Sequence, residues 1–148
     1  MTKLIPKSYD RAYAILGAEF LFILLPFVVS ALVFSNKGDY TRLIHSSEWS
    51  LAASVLIGQS LVKFISGMLA NKDVYKAHWE RVALAISFLI VFCLVPALII
   101  LCLVLIESNL SSMLNVLQII MFAIGVCVFF VFGASGEALL RIKESTAK

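Results

Sequence analysis

Four stretches of this chain, residues 12–34, 49–70, 82–106 and 113–134, are each long and apolar enough to cross a lipid bilayer as a helix. A helical span needs ~20 predominantly apolar residues, and lipid offers no partner for an unpaired backbone amide, so helices are the natural form. Of the 148 residues 61% are hydrophobic and 14% charged, more apolar surface than a soluble fold of this size could hide. The expected fold is therefore an all-α integral membrane protein. Its four transmembrane helices form two antiparallel hairpins in a single domain over residues 1–148, with only short connections and two tails outside the spans.

The orientation follows from charge. The formal net charge is +3, but its distribution matters more than its sum. Lys3, Lys7 and Arg11 precede the first span, Lys72, Lys76 and Arg81 lie between the second and third, and Arg141, Lys143 and Lys148 follow the fourth. The first connection carries Lys37 and Arg42, partly balanced by Asp39 and Glu48, and the third carries no Lys or Arg. Basic residues concentrate on cytoplasmic loops, so both termini and the central link are expected inside, in a bacterial-type inner membrane. Anionic lipid headgroups are then their expected neighbours. Nucleic acid is not an expected partner, because no basic groove with interleaved aromatics is visible.

The aromatic residues repeat the pattern. Tyr9, Tyr13, Tyr40, Trp49, Tyr75 and Trp79 all fall near predicted interfaces, where amphipathic rings prefer to sit. The "VSA" at 29–31 resembles a signal-peptide cleavage site, but the preceding apolar stretch is longer than a usual signal core and contains Glu19. Cys93, Cys102 and Cys127 are odd in number and lie within spans, so they imply packing rather than disulfides or a metal site. His45 and His78 fall in loops on opposite sides and cannot share a metal; no cofactor is expected.

Polar residues inside the spans are the best functional signal. Glu19 lies eight residues past Arg11, ~12 Å into the bilayer, and Lys63 lies nine before Lys72, ~13 Å from the same side. The two opposite charges are thus level on neighbouring antiparallel helices, with Gln59 one turn nearer the midplane. One face of span one contains Ala12, Leu16, Glu19, Ile23, Pro26 and Ser30. The matching face of span two contains Ala52, Leu56, Gln59, Lys63, Ser66 and Ala70. Snorkelling is the alternative for Lys63, yet helical side chains lean toward the helix N-terminus, which for span two points away from the nearest headgroups. Glu19, Gln59 and Lys63 are therefore expected to form an intramembrane polar site, either a structural pair or the lining of a polar path.

Small residues mark expected helix contacts. Ser50, Ser54 and Gly58 recur every four residues on span two, and Gly133 and Gly136 sit near the inner end of span four. "SLVK" at 60–63 spells Ser-x-x-Lys, but two residues without companion motifs do not make a hydrolase. No catalytic constellation converges, and an enzyme is not expected.

In size and topology the chain is similar to small four-helix inner-membrane proteins of bacteria and phages, including phage-exclusion channels and immunity proteins against pore-forming toxins. That likeness shares no motif and implies architecture alone. Two function classes are expected: a homo-oligomeric channel-like or membrane-perturbing protein, or a non-catalytic scaffold that anchors a cytoplasmic or membrane protein partner.

Overall fold

The computed structural model describes residues 4–36, 46–71, 79–106 and 112–146. The connections over 37–45, 72–78 and 107–111, with His45, His78 and the Tyr40 and Tyr75 expected at an interface, lie outside the described residues.

All secondary structure among the described residues is helical. Span one is α1 (Leu4–Asn36) and span two is α2 (Glu48–Ala70). Span three is built from α3 (Trp79–Leu89), a π-helical turn (Ile90–Leu94) and α4 (Val95–Ile106). Span four is α5 (Ser112–Val128), a second π turn (Phe129–Gly133) and α6 (Ala134–Thr146). The four apolar segments able to cross a membrane are Ala12–Asn36, Glu48–Ala70, Trp79–Ile106 and Met113–Arg141. They run up to three residues beyond the hydropathy limits, and seven at the C-terminal end of span four, because amphipathic ends extend the helices beyond their apolar cores. Large apolar side chains such as Leu21, Phe22, Leu84 and Ile106 are exposed on the outside, as lipid permits and water does not.

Span two is the hub. More than half of its most apolar window is buried, against about a twentieth of span one's. On one side, Ala53, Ile57 and Leu61 meet Leu89, Cys93, Ala97, Ile100 and Val104 of span three. Those five recur every three or four residues, so they form a single stripe of the helix. On its other side Leu56 meets Leu16 of α1 and Phe129 and Ala134 of span four. Leu16, Leu56, Ile57 and Phe129 are completely buried.

Spans two and four run in the same direction, because Ser50 bonds Gln118 near one end and Asn71 bonds Leu139 at the other. They also approach most closely. A Cβ on Gly67 would meet the Gly136 carbonyl oxygen at 2.5 Å, and one on Gly136 would strike the Lys63 carbonyl group. A third contact sets Gly125 against the Ala53 backbone. Glycine is required at Gly67 and Gly136 because the two backbones touch.

Helix α1 runs opposite to α2, with Ser30 at Glu48 and Glu19 at Lys63. Near the Glu48 end three rings pin it: Phe27 lies 5.5 Å from Trp49 and 6.1 Å from Phe122, and Trp49 meets Phe122 at 5.2 Å. Near the other end Phe20 packs on Phe129 and Phe130. Between these two anchor points α1 stands away from α2.

The two span-interrupting prolines behave differently. Helix α1 continues through Pro26, whereas a π turn ends two residues before Pro96, with the Val95 amide bonding Ile90. Proline has no N–H, and its ring crowds the carbonyl four residues back; a widened turn is one way to accommodate it. At the start of α2, the Glu48 amide donates to Ser46 Oγ at 3.3 Å, while Ser47, in the cap position, makes no side-chain cap bond.

Candidate functional site

The charges of the spans converge where α1, α2 and α6 meet. Lys63 Nζ donates to Glu19 Oε1 at 2.9 Å and to Glu137 Oε2 at 3.4 Å. Glu137 accepts a further bond from Arg141 Nε at 3.2 Å, one turn along its own helix. Two carboxylates and two cations therefore form one chain, Glu19–Lys63–Glu137–Arg141, with formal charges that cancel. Ion pairs brought out of water need such compensation, since an unpaired partner keeps the whole desolvation penalty. Lys63 is 18% exposed, Glu137 14% and Glu19 37%. The first two are well enclosed, and Glu19 forms the open edge. Its Oε2 atom is nevertheless covered and without a hydrogen bond in the structure.

Local structure brings these groups together. Lys63 and Gly67 are one turn apart on α2, so the backbone contact of Gly67 with Gly136 also places Glu137 beside the lysine. Had either glycine carried a side chain, α6 would stand farther off and Glu137 would fall short. Asn71 completes the clamp by donating to its own Gly67 carbonyl at 3.0 Å and to the Leu139 carbonyl at 2.9 Å. The Gly67 carbonyl is one of the last four of α2, which the end of a helix would otherwise leave open, and the bond to Leu139 ties α2 to α6.

Gln59 is placed differently from the expectation that it supports the pair. It is exposed and makes no side-chain hydrogen bond among the described residues. It lines an open groove of about 820 Å³ between α1 and α2, together with Glu19, Phe22, Ile23, Val55, Gly58, Val62 and Lys63. The groove is mostly apolar, with an amide on its wall and the Glu19–Lys63 pair at one end.

The small residues divide. Ser54 is buried and donates to the Ser50 carbonyl, one turn back, at 2.9 Å, while Ser50 Oγ donates to Gln118 Oε1 at 3.3 Å. Gly133 supports Leu16, whose side chain would meet an added Cβ at 2.9 Å. Gly136 is one half of the tight crossing. At Gly58, among the described residues, no atom of another helix lies within 4 Å of an added Cβ. Its expected packing role is not met inside the monomer. The reason is helical drift: four residues advance the helix by 400°, so each step of the Ser50–Ser54–Gly58 series turns about 40°. By Gly58 the series has rotated out of the interior.

Ser60 is fully buried and donates to the Ile57 carbonyl at 2.7 Å, while Lys63 is directed to its carboxylates. The Ser-x-x-Lys spacing therefore brings no hydroxyl to the amine. Among the described residues, no three His, Cys, Asp or Glu side chains are grouped as a metal site requires.

Sequence reasoning missed Glu137, Gly67 and Asn71. Glu137 sits in "GASGEALLRIK", which reads as chain leaving the membrane, and its only local signal is the four-residue spacing to Arg141. No protein-family model matches the chain, and neither a curated protein nor a solved structure is significantly similar to it.

Proposed function

We propose that this small multi-pass membrane protein is a homo-oligomeric, channel-like protein of the inner membrane, with its polar path between copies. The observation that carries this reading is the groove. It holds an exposed amide and an incompletely covered charge pair at bilayer depth, while the interior of the chain is closed by Leu16, Leu56, Ile57 and Phe129. Exposed polar groups in lipid are costly, and surrounding a shared axis with them removes the cost while leaving a route for water. The distribution of Lys and Arg favours two hairpins with both termini and the central link cytoplasmic.

A second reading is favoured by the charge network itself. Lys63 is satisfied by two carboxylates, so its charge is consumed in holding three helices together. A non-catalytic scaffold or accessory subunit needs just that rigidity, plus a surface for a partner protein.

Reconstitution into liposomes at several protein-to-lipid ratios, with ion flux and oligomeric state read on the same samples, separates them. The channel reading expects flux that rises with oligomer content and is lost in the Glu19→Leu, Lys63→Met double variant although it remains folded. An oligomer that passes no ion at any ratio leaves the scaffold.

A further inference from the structure

Gln59 is an exposed polar residue at the middle of a membrane-crossing helix. It is the middle residue of α2, eleven positions from Glu48 and eleven from Ala70, so it lies about 16 Å from either end of the helix. Its amide presents a donor pair and an acceptor, exposed and unbonded among the described residues. A phospholipid headgroup stays near the interface, half of the ~30 Å hydrocarbon core away, and acyl chains carry no hydrogen-bonding group. Apart from water admitted to the groove, the occupant that satisfies Gln59 is a polar side chain on another transmembrane helix.

The surface around Gln59 specifies that helix further. Leu51, Val55 and Val62 are exposed large apolar residues, as is Leu69. With Gly58 they fall at successive spacings of four, three, four and seven. This is the heptad spacing of a helix-pairing seam, and it stands open on the helix that is otherwise the most buried of the four. At its centre Gly58 has no atom within 4 Å of an added Cβ, so a second backbone can come close there.

A second copy of the same chain meets each requirement at once. A two-fold axis along the membrane normal brings Gln59 of the other copy to the same depth without further adjustment. Amides are self-complementary, since each can donate to the other's oxygen, whereas a Glu or Lys at this position would repel its own copy. We propose that α2 docks against α2 of a second copy through Leu51, Val55, Gly58 and Val62, with the two Gln59 amides hydrogen-bonded across the axis. This names the contact behind the self-assembly proposed above and rests on that self-assembly, but it does not depend on conduction.

Disulfide trapping in lipid bilayers tests it. In a background with Cys93, Cys102 and Cys127 replaced by alanine, Val55→Cys and Val62→Cys should form covalent dimers on mild oxidation. Leu98→Cys, on the exposed side of span three, should form at least about tenfold less. With the same traps, Gln59→Leu should weaken association about 3- to 30-fold, the range for an interhelical hydrogen bond in a membrane, and Gln59→Asn should retain most of it. A second variant, Gly58→Ile, has open space within its own chain, so it should remain folded and lose the dimer. Equal trapping at Val55, Val62 and Leu98, or unchanged association in Gln59→Leu, overturns the proposal. Flux measured on the same vesicles keeps the two readings apart. Trapped dimers without flux remove the channel and leave the contact, whereas flux without trapping removes the contact and leaves the channel.

Discussion

Glu137 Oε2 stands 3.4 Å from Lys63 Nζ, across 74 positions of sequence. The lysine is thereby held by carboxylates from both sides, one on α1 and one on α6. This changes what each mutation should do, because the two carboxylates are not equivalent. Glu137 has Arg141 as a second partner, whereas among the described residues Glu19 pairs with Lys63 alone.

Lys63→Met should be the most damaging change in the network. It strands Glu19 in a poorly solvated site, and removing one member of a buried pair costs ~3–5 kcal/mol, reduced here because Glu19 is partly open. Glu19→Gln should cost less, about 1–2 kcal/mol, since Lys63 keeps Glu137. The Glu19→Leu, Lys63→Met double variant should recover most of the loss, with Glu137 still paired to Arg141. Folded yield and reversible unfolding in mixed micelles measure this. Additive losses in the double variant would show that the pair is not energetically coupled.

The glycines should separate sharply. Gly67→Ala and Gly136→Ala force two backbones apart and should each destabilise by at least about 1–3 kcal/mol, the usual cost of overpacking. Gly58→Ala meets open space and gains helix propensity, so in monomeric detergent preparations it should be neutral or stabilising by up to about 1 kcal/mol. Thermal unfolding of the three variants is sufficient. A Gly58→Ala penalty as large as that of Gly67→Ala would contradict the helix arrangement.

Asn71→Leu removes the bonds from Asn71 to Gly67 and Leu139. A loss of about 1–2 kcal/mol is expected, confined largely to the clamp between α2 and α6. Hydrogen exchange should therefore accelerate in α6 near Leu139 while the Ala53–Gly125 contact keeps its protection. Uniform acceleration across all helices would mean that Asn71 supports the whole bundle instead.

The proposed orientation is checked by labelling whole cells with a membrane-impermeant thiol reagent in the cysteine-free background. Asp39→Cys should react from outside and Asp73→Cys only after the membrane is opened. The opposite pattern would invert the topology.

The number of spans, their limits to within three residues except at the C-terminal end of span four, which runs seven farther, and the level matching of Glu19 with Lys63 were all legible in the sequence. Each depends on local quantities: hydropathy over some twenty residues, and a rise of 1.5 Å per residue that converts position into depth. Helix boundaries shifted only where amphipathic ends such as "WER" and "EALLR" extend the helices beyond their apolar cores.

The third dimension decided which faces meet. A four-residue repeat of small residues looks like one seam, but drift of about 40° per step leaves Ser50 inside and turns Gly58 outward. Spans two and four pair closely because Gly67 and Gly136 let their backbones touch, and that contact joins residues about seventy positions apart. From the same contact follow Glu137 at Lys63 and Asn71 at Leu139, while Gln59 is left on an open groove between α1 and α2. Sequence fixes how deep a side chain sits because depth is counted along one helix. Which neighbour it meets depends on the rotation and crossing of two helices, and those are set by packing that no single span contains.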